Sequence, residues 1–169
     1  MHKRSYLVAV LATLLVASAS ATAGTATVKY VNTERMTDVP RFQGDVESMQ
    51  AQLLEHFNIL ASQLPQGQEL KVEIIDIDLA GEVFPRVAIQ DVRVKRGRAD
   101  WPHIHLRFSI EQDGKVLSSG ERQLTNAHYL SGFNRYDREI YAHEKQLLDD
   151  WFRREMRAAL TAAANDSSR

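Results

Sequence analysis

Apolar positions along this chain change period several times, and each change marks a predicted element. β-branched residues are densest in LKVEIIDIDLAGE, Leu70 to Glu82, where Val72, Ile74, Ile75 and Ile77 predict a strand over Leu70–Leu79. Its alternation slips midway. Leu70, Val72, Ile74, Asp76 and Asp78 share one parity, and Lys71, Glu73, Ile75, Ile77 and Leu79 share the other. A β-bulge near Ile75, or a strong twist, would restore a single buried face; the alternative is a strand that runs from the core into a solvated end. Ala80-Gly81 closes the segment as a turn.

Before this strand, Thr25–Val31 alternates, with Ala26, Val28 and Tyr30 on one side. A loop carrying Asp38, Pro40 and Gly44 follows. The clearest helix is predicted over Asp45–Leu64, with Asp45 as N-cap and Glu47 in the first turn. Val46, Met49, Leu53, Phe57, Leu60, Ala61 and Leu64 form its apolar stripe, and Pro65 with Gly67 ends it. Ala80–Asp100 is the least regular stretch; Val87-Ala88-Ile89 and Val92-Arg93-Val94 offer a short strand there. In HIHLRFSI, Ile104, Leu106, Phe108 and Ile110 face one way and His103, His105, Arg107 and Ser109 the other. Asp113-Gly114 signals a hairpin turn into a returning strand, Lys115–Thr125, with Gly120 a bulge or close-approach site. A last helix is predicted over about Arg138–Ala163, with Ile140, Leu147, Leu148, Trp151, Phe152 and Met156 as its stripe, and Asn165–Arg169 as a fraying, disordered tail. The order β-α-β-(β)-β-β-α predicts one α+β domain over residues 24–164. Its natural form is a mostly antiparallel four- to five-stranded sheet with two helices packed on one face, the first β-α-β step being a right-handed crossover.

The beginning of the chain has a different character. Lys3-Arg4, the apolar run Tyr6–Val16 and the overlapping small-residue sites in ASASATAG predict a secretory signal peptide over residues 1–23. The run is too short for a membrane span, and no cysteine follows it to carry a lipid anchor. Export implies a periplasmic or secreted domain. Losing Lys3 and Arg4 takes the formal charge from −1 to −3, which weighs against a nucleic-acid partner. With no cysteine anywhere, thiol chemistry is excluded and the exported domain must be held by its core, without disulfides.

Three polar groups could carry chemistry. His103 and His105 project from one strand face, and Asp76 or Asp78 on a neighbouring strand could complete a metal site or act as acid–base carboxylates. The plainer reading is a solvated sheet face, and Arg107 on that face argues against a cation. The run Arg93, Lys95, Arg96 and Arg98 with Trp101 could bind an anion or a partner, or could be a clasp neutralised by nearby acids. The sequence holds no G-x-S-x-G, P-loop or G-x-G-x-x-G motif, and His143-Glu144 is not the start of H-E-x-x-H. No cofactor is expected.

The phrases VKYVNTERMTDV, LKVEIIDIDLAGE, DVRVKRGRADWPHIHLRF, DGKVLSSGERQL and EKQLLDDWF resemble a family of small exported bacterial proteins known as a domain of unknown function. The resemblance spans about Val28 to Phe152 and implies no catalytic residue. The element order is also loosely similar to small periplasmic accessory proteins of envelope assembly and transport. The expectation is a periplasmic binding or accessory protein whose partner is an envelope protein or an anionic envelope component. The alternative is a metal- or carboxylate-dependent hydrolase using His103, His105, Asp76 and Asp78.

Overall fold

The computed structural model describes residues 24–84 and 92–166, with side chains through residue 158. Its strands are β1 (Thr25–Tyr30), β2 (Gln68–Asp78), β3 (Glu82–Phe84), β4 (Val92–Val94), β5 (His103–Gln112) and β6 (Lys115–Thr125); its helices are α1 (Gln43–Ala61) and α2 (Ala142–Asp166). A short 3-10 turn, Thr33–Arg35, follows β1. Four strands form the main sheet in the order β1-β2-β5-β6, and β3 with β4 makes a separate two-stranded ribbon. β1 runs parallel to β2, and the other neighbours are antiparallel, so the sheet is mixed. The fold is α+β as expected.

The slipped alternation of β2 is a bulge. Its register against β5 shifts between Ile74, which faces Leu106, and Asp76, which faces His105. The extra residue, Ile75, returns the strand to phase. Leu70, Val72, Ile74 and Ile77 all lie buried on the helix side, while Asp76 and Asp78 turn to the open side. β5 alternates without interruption, its Ile104, Leu106, Phe108 and Ile110 buried. Asp113 and Gly114 both take positive φ, 51° and 76°, the backbone of a two-residue hairpin turn.

Gly120 is not the bulge of β6; that shift lies at Leu117, between the Ile110–Ser118 and Glu111–Val116 pairs. Gly120 is a close-approach site. A Cβ there would meet the Arg122 guanidinium at 2.6 Å and the Phe108 ring at 3.1 Å. The space lets Arg122 cross the Phe108 ring at 5.5 Å and reach Glu155 on α2 at 2.6 Å.

Both helices pack on the same face of the sheet and enclose the core. Met49, Leu53, Phe57, Leu60, Ala61 and Leu64 come from α1 and its exit, as the stripe predicts. From α2 come Leu147, Leu148, Trp151 and Phe152. Trp151 is the centre, with Phe57, Phe108 and Phe152 edge-on at centroid distances of 6.4, 5.3 and 6.2 Å.

The helix starts differ from expectation. α1 begins at Gln43 after Phe42, which makes no side-chain cap, so Asp45 lies inside the first turn instead of capping it. α2 begins at Ala142, after Tyr141 turns through φ 57°. Ile140 is therefore outside the helix and 60% exposed, not part of the buried stripe. The ribbon strand β4 was expected; β3 was not. The expected strand at Val87–Ile89 and the signal segment at residues 1–23 lie outside the described residues. So do residues 167–169 of the expected tail, whose first two residues, Asn165 and Asp166, are helical. Among the described residues no helix is long and apolar enough to cross a membrane.

Candidate functional site

The chain resumes its course beside β2 after the 3-10 turn. The Asp38 N–H donates to the Ile77 carbonyl at 2.8 Å, and Asp38 bridges to Asp78 in parallel fashion. Pro40, Arg41 and Phe42 then lead into α1. Opposite them stand the ribbon and the turn before α2. Between these segments lies an open cleft of about 1020 Å³, lined by Val39, Pro40, Phe42, Leu79, Val83 and Ile140 on its apolar walls. Arg41, Arg93, Lys95, Asp38, Asp45, Glu139, Tyr141 and Glu144 also border it. The volume is at the upper end of the range for small-molecule sites, about 300–1,000 Å³.

The basic run divides at this cleft. Arg93 turns inward and holds Asp38 through both nitrogens, Nη1 to Oδ2 at 2.5 Å and Nη2 to Oδ1 at 3.1 Å. The same guanidinium donates to the Leu79 and Gly81 carbonyls at 3.2 and 2.8 Å. Arg93 is thus a clasp, and its acid is Asp38, which lies 55 positions earlier and farther along the chain than Asp91 or Asp100. Lys95 borders the cleft with it. Arg96 instead stacks over the Phe84 ring at 4.8 Å. The Arg96 and Arg98 backbone N–H groups donate to the Asp100 carboxylate at 2.6 and 2.8 Å, so the loop winds around that buried acid. Burial raises the Asp100 carboxyl, but these N–H groups and Tyr129 outweigh it and leave it below the usual carboxylate range. Trp101 sits beside the His103 ring, 6.1 Å between centroids. The predicted set Arg93, Lys95, Arg96, Arg98 and Trp101 therefore does not converge on one place; Arg93 and Lys95 alone reach the cleft.

Glu144 lies at the floor of the cleft, only 3% exposed. It is the third residue of α2, and its Oε1 accepts the Ala80 N–H at 2.7 Å, pinning the turn after β2 to the helix. Among the described residues it has no ion-pair partner. Burial pushes its carboxyl above the ordinary range, against the pull of the Ala80 N–H and its own N–H and the positive field of Lys95 and Arg93.

His103, His105, Asp76 and Asp78 share the open face and are paired in register, Asp76 with His105 and Asp78 with His103. They are nonetheless committed separately. Asp76 accepts both the N–H and the hydroxyl of Thr37 at 2.7 Å, and His105 lies 2.7 Å from Glu121. Burial, then the neighbouring Asp38, raises the Asp78 carboxyl. Among the described residues no three His, Asp or Glu side chains gather closely enough to hold a metal ion. The rest of this face is an ion-pair ladder: Glu73 and Glu121 flank Arg107, and Lys71 meets Glu111.

One buried polar cluster went unread. His56 on α1 lies 3.1 Å from Asp149 on α2, and Tyr136 and Arg135 donate to the other Asp149 oxygen at 2.9 and 3.2 Å. Burial raises Asp149, but His56 and Tyr136 outweigh it and leave the carboxyl low. The signal was present: His56 and Asp149 fall on the apolar stripes of their helices, where an unpaired polar group is costly. For the cleft no such signal exists, because its walls come from stretches far apart in sequence.

A family model described as a protein of unknown function (DUF3016) matches residues 24–154. No curated protein and no solved structure matches the chain.

Proposed function

The chain belongs to that family of unknown function, and from the geometry of the cleft we propose that it is an exported binding protein. Its ligand would be an envelope component held between the Asp38–Asp45 segment, the ribbon and the start of α2. The observation that carries this reading is the convergence of exposed apolar side chains with two residues of the basic run. Phe42, Val83 and Ile140 are 55%, 39% and 60% exposed, come from separate segments and border the same cleft as Arg93 and Lys95. Scattered apolar residues are ordinary on a surface; their clustering in one concavity is what a ligand site requires. Export rests on the charged start, apolar run and small-residue sites of residues 1–23. The hydrolase reading has less support, since Asp76 and His105 already satisfy Thr37 and Glu121.

Two measurements test the proposal. Mass spectrometry of the protein from the periplasm should find a new N-terminus between Ser20 and Gly24; retention of Met1 in that pool would overturn export. Native purification from the same compartment should carry a component that Ile140→Glu loses, since that exposed position alters the cleft and leaves the core alone. Identical co-purifying material from both proteins would move the site away from the cleft.

A further inference from the structure

Resting on the reading of the cleft as a binding site, we propose that its ligand is a single-chain anionic amphiphile, with the chain against the apolar wall and the head between Arg41 and Lys95. The wall supplies the first half of the argument. Val39, Pro40, Phe42, Leu79, Val83 and Ile140 are all apolar and all border one cleft, a surface suited to an aliphatic chain and not to a sugar or a small polar solute.

The charges supply the second half. The cleft holds acids and bases in similar number, but the acids are largely spent. Asp38 is taken by the bidentate Arg93. Glu139 receives the buried ammonium of Lys145 at 2.7 Å. Glu144 is 3% exposed and spends its Oε1 on the Ala80 N–H, so it turns little of its carboxylate to the cleft. Asp45 lies in the first turn of α1, where the positive end of the helix offsets it. Among the described residues Arg41 and Lys95 have no carboxylate at ion-pairing distance. Arg41 lies 5.9 Å over the Phe42 ring, so it presents a cation at the edge of the apolar wall. Lys95 borders the same cleft, directly after β4. An anion between them would gain charge complementarity without displacing an internal ion pair.

The experiment uses the mature chain, labelled with nitrogen-15, and four probes below their micelle concentrations: dodecyl phosphate, dodecyltrimethylammonium, dodecyl maltoside and inorganic phosphate. Dodecyl phosphate should shift the amides of Val39, Phe42, Val83, Lys95 and Tyr141. It should bind at least tenfold more tightly than either other amphiphile and about a hundredfold more tightly than inorganic phosphate, each factor of ten being about 1.4 kcal/mol. Arg41→Gln/Lys95→Gln should lower that affinity at least tenfold and weaken its salt dependence. Ile140→Asn, at an exposed position, should lower it as well while leaving circular dichroism unchanged. Equal binding of the cationic or neutral amphiphile at the same amides would overturn the anionic class and leave the cleft as a binding site. Inorganic phosphate binding as tightly as dodecyl phosphate would overturn the role of the apolar wall. If no probe shifts the cleft amides, both the class and the cleft reading fall.

Discussion

Glu144 couples the fold to the floor of the cleft, and its chemistry makes it sensitive to pH. Its carboxyl is raised in the folded protein, so the folded state holds the proton more tightly than the unfolded chain does. Stability from this group is therefore fully present below the ordinary glutamate range, near pH 4.5, and declines as pH rises through the raised folded value. Glu144→Gln keeps an oxygen for the Ala80 N–H and removes the titration. It should match or exceed wild type in stability at pH 7.5, and the wild-type decline between pH 5 and 7.5 should become shallower in urea unfolding. Glu144→Ala leaves the Ala80 N–H buried and unpaired and should cost about 1–3 kcal/mol at both pH values. A Gln variant that loses as much as Ala would show that the ionised carboxylate is needed. None of this was legible in the sequence. His143-Glu144 lacks the spacing of H-E-x-x-H, and nothing local tells that the neighbour of Glu144 is Ala80, 64 positions earlier. The Arg93–Asp38 clasp was hidden in the same way, across 55 positions. Arg93 had acids closer in sequence, yet the pair was decided by where Asp38 falls beside β2.

At the scale of elements, periodicity was the reliable guide and helix starts were not. The bulge in β2 was readable because the apolar spacing changes from two to three between Ile74 and Ile77, and only an extra residue keeps both halves on one face. This gives an unusual expectation. Deleting Ile75 from the central strand leaves Leu70, Val72, Ile74 and Ile77 in uninterrupted alternation, so the variant should fold cooperatively. Deleting Val72 throws the first half out of phase and should abolish the cooperative thermal transition. Loss of folding in both variants would mean that the bulge itself, and not the phase it restores, is required. The stripe of α2 leads to a second expectation. Trp151 is 1% exposed among three aromatic rings, so Trp151→Ala should cost about 3–5 kcal/mol in urea unfolding. A cost below about 1 kcal/mol would contradict its central place in the core. The two misread starts have one cause. Capping preference favours Asp45 and periodicity favours Ile140, but the backbone turns at Phe42 and Tyr141 without a side-chain cap at the first and with a left-handed residue at the second. Both departures place a large apolar side chain, Phe42 or Ile140, on the cleft.

At the scale of the whole molecule, the two faces of the sheet do different work. The helix face carries the core. The open face is a ladder of ion pairs, Lys71–Glu111 and Glu73–Arg107–Glu121, whose members apart from Glu111 are well solvated. Such pairs contribute little to stability, about 0–1 kcal/mol each, and are weakened by salt. The architecture was legible because alternation in β1 and β5 and the stripes of both helices give the sheet and the helices a buried side each. The position of the site was not, because a cleft at the end of the sheet depends on how the Asp38–Asp45 segment, the ribbon and α2 meet.

The parallel pairing of β1 has a consequence for the order in which the sheet assembles. β5 and β6 close through a two-residue turn and need no other element. β1 can reach β2 only after α1 has carried the chain back across the core, a non-local closure that forms slowly. If β1 docks last, the outer edge of β2 would stay unpaired until then, and an unpaired edge is where strand-to-strand association between molecules is most open. In the native state the six-residue β1 should also be the first strand to release. Hydrogen exchange should therefore find its amides opening at lower free energy than those of β5, and equal protection would mean the sheet comes apart as one unit.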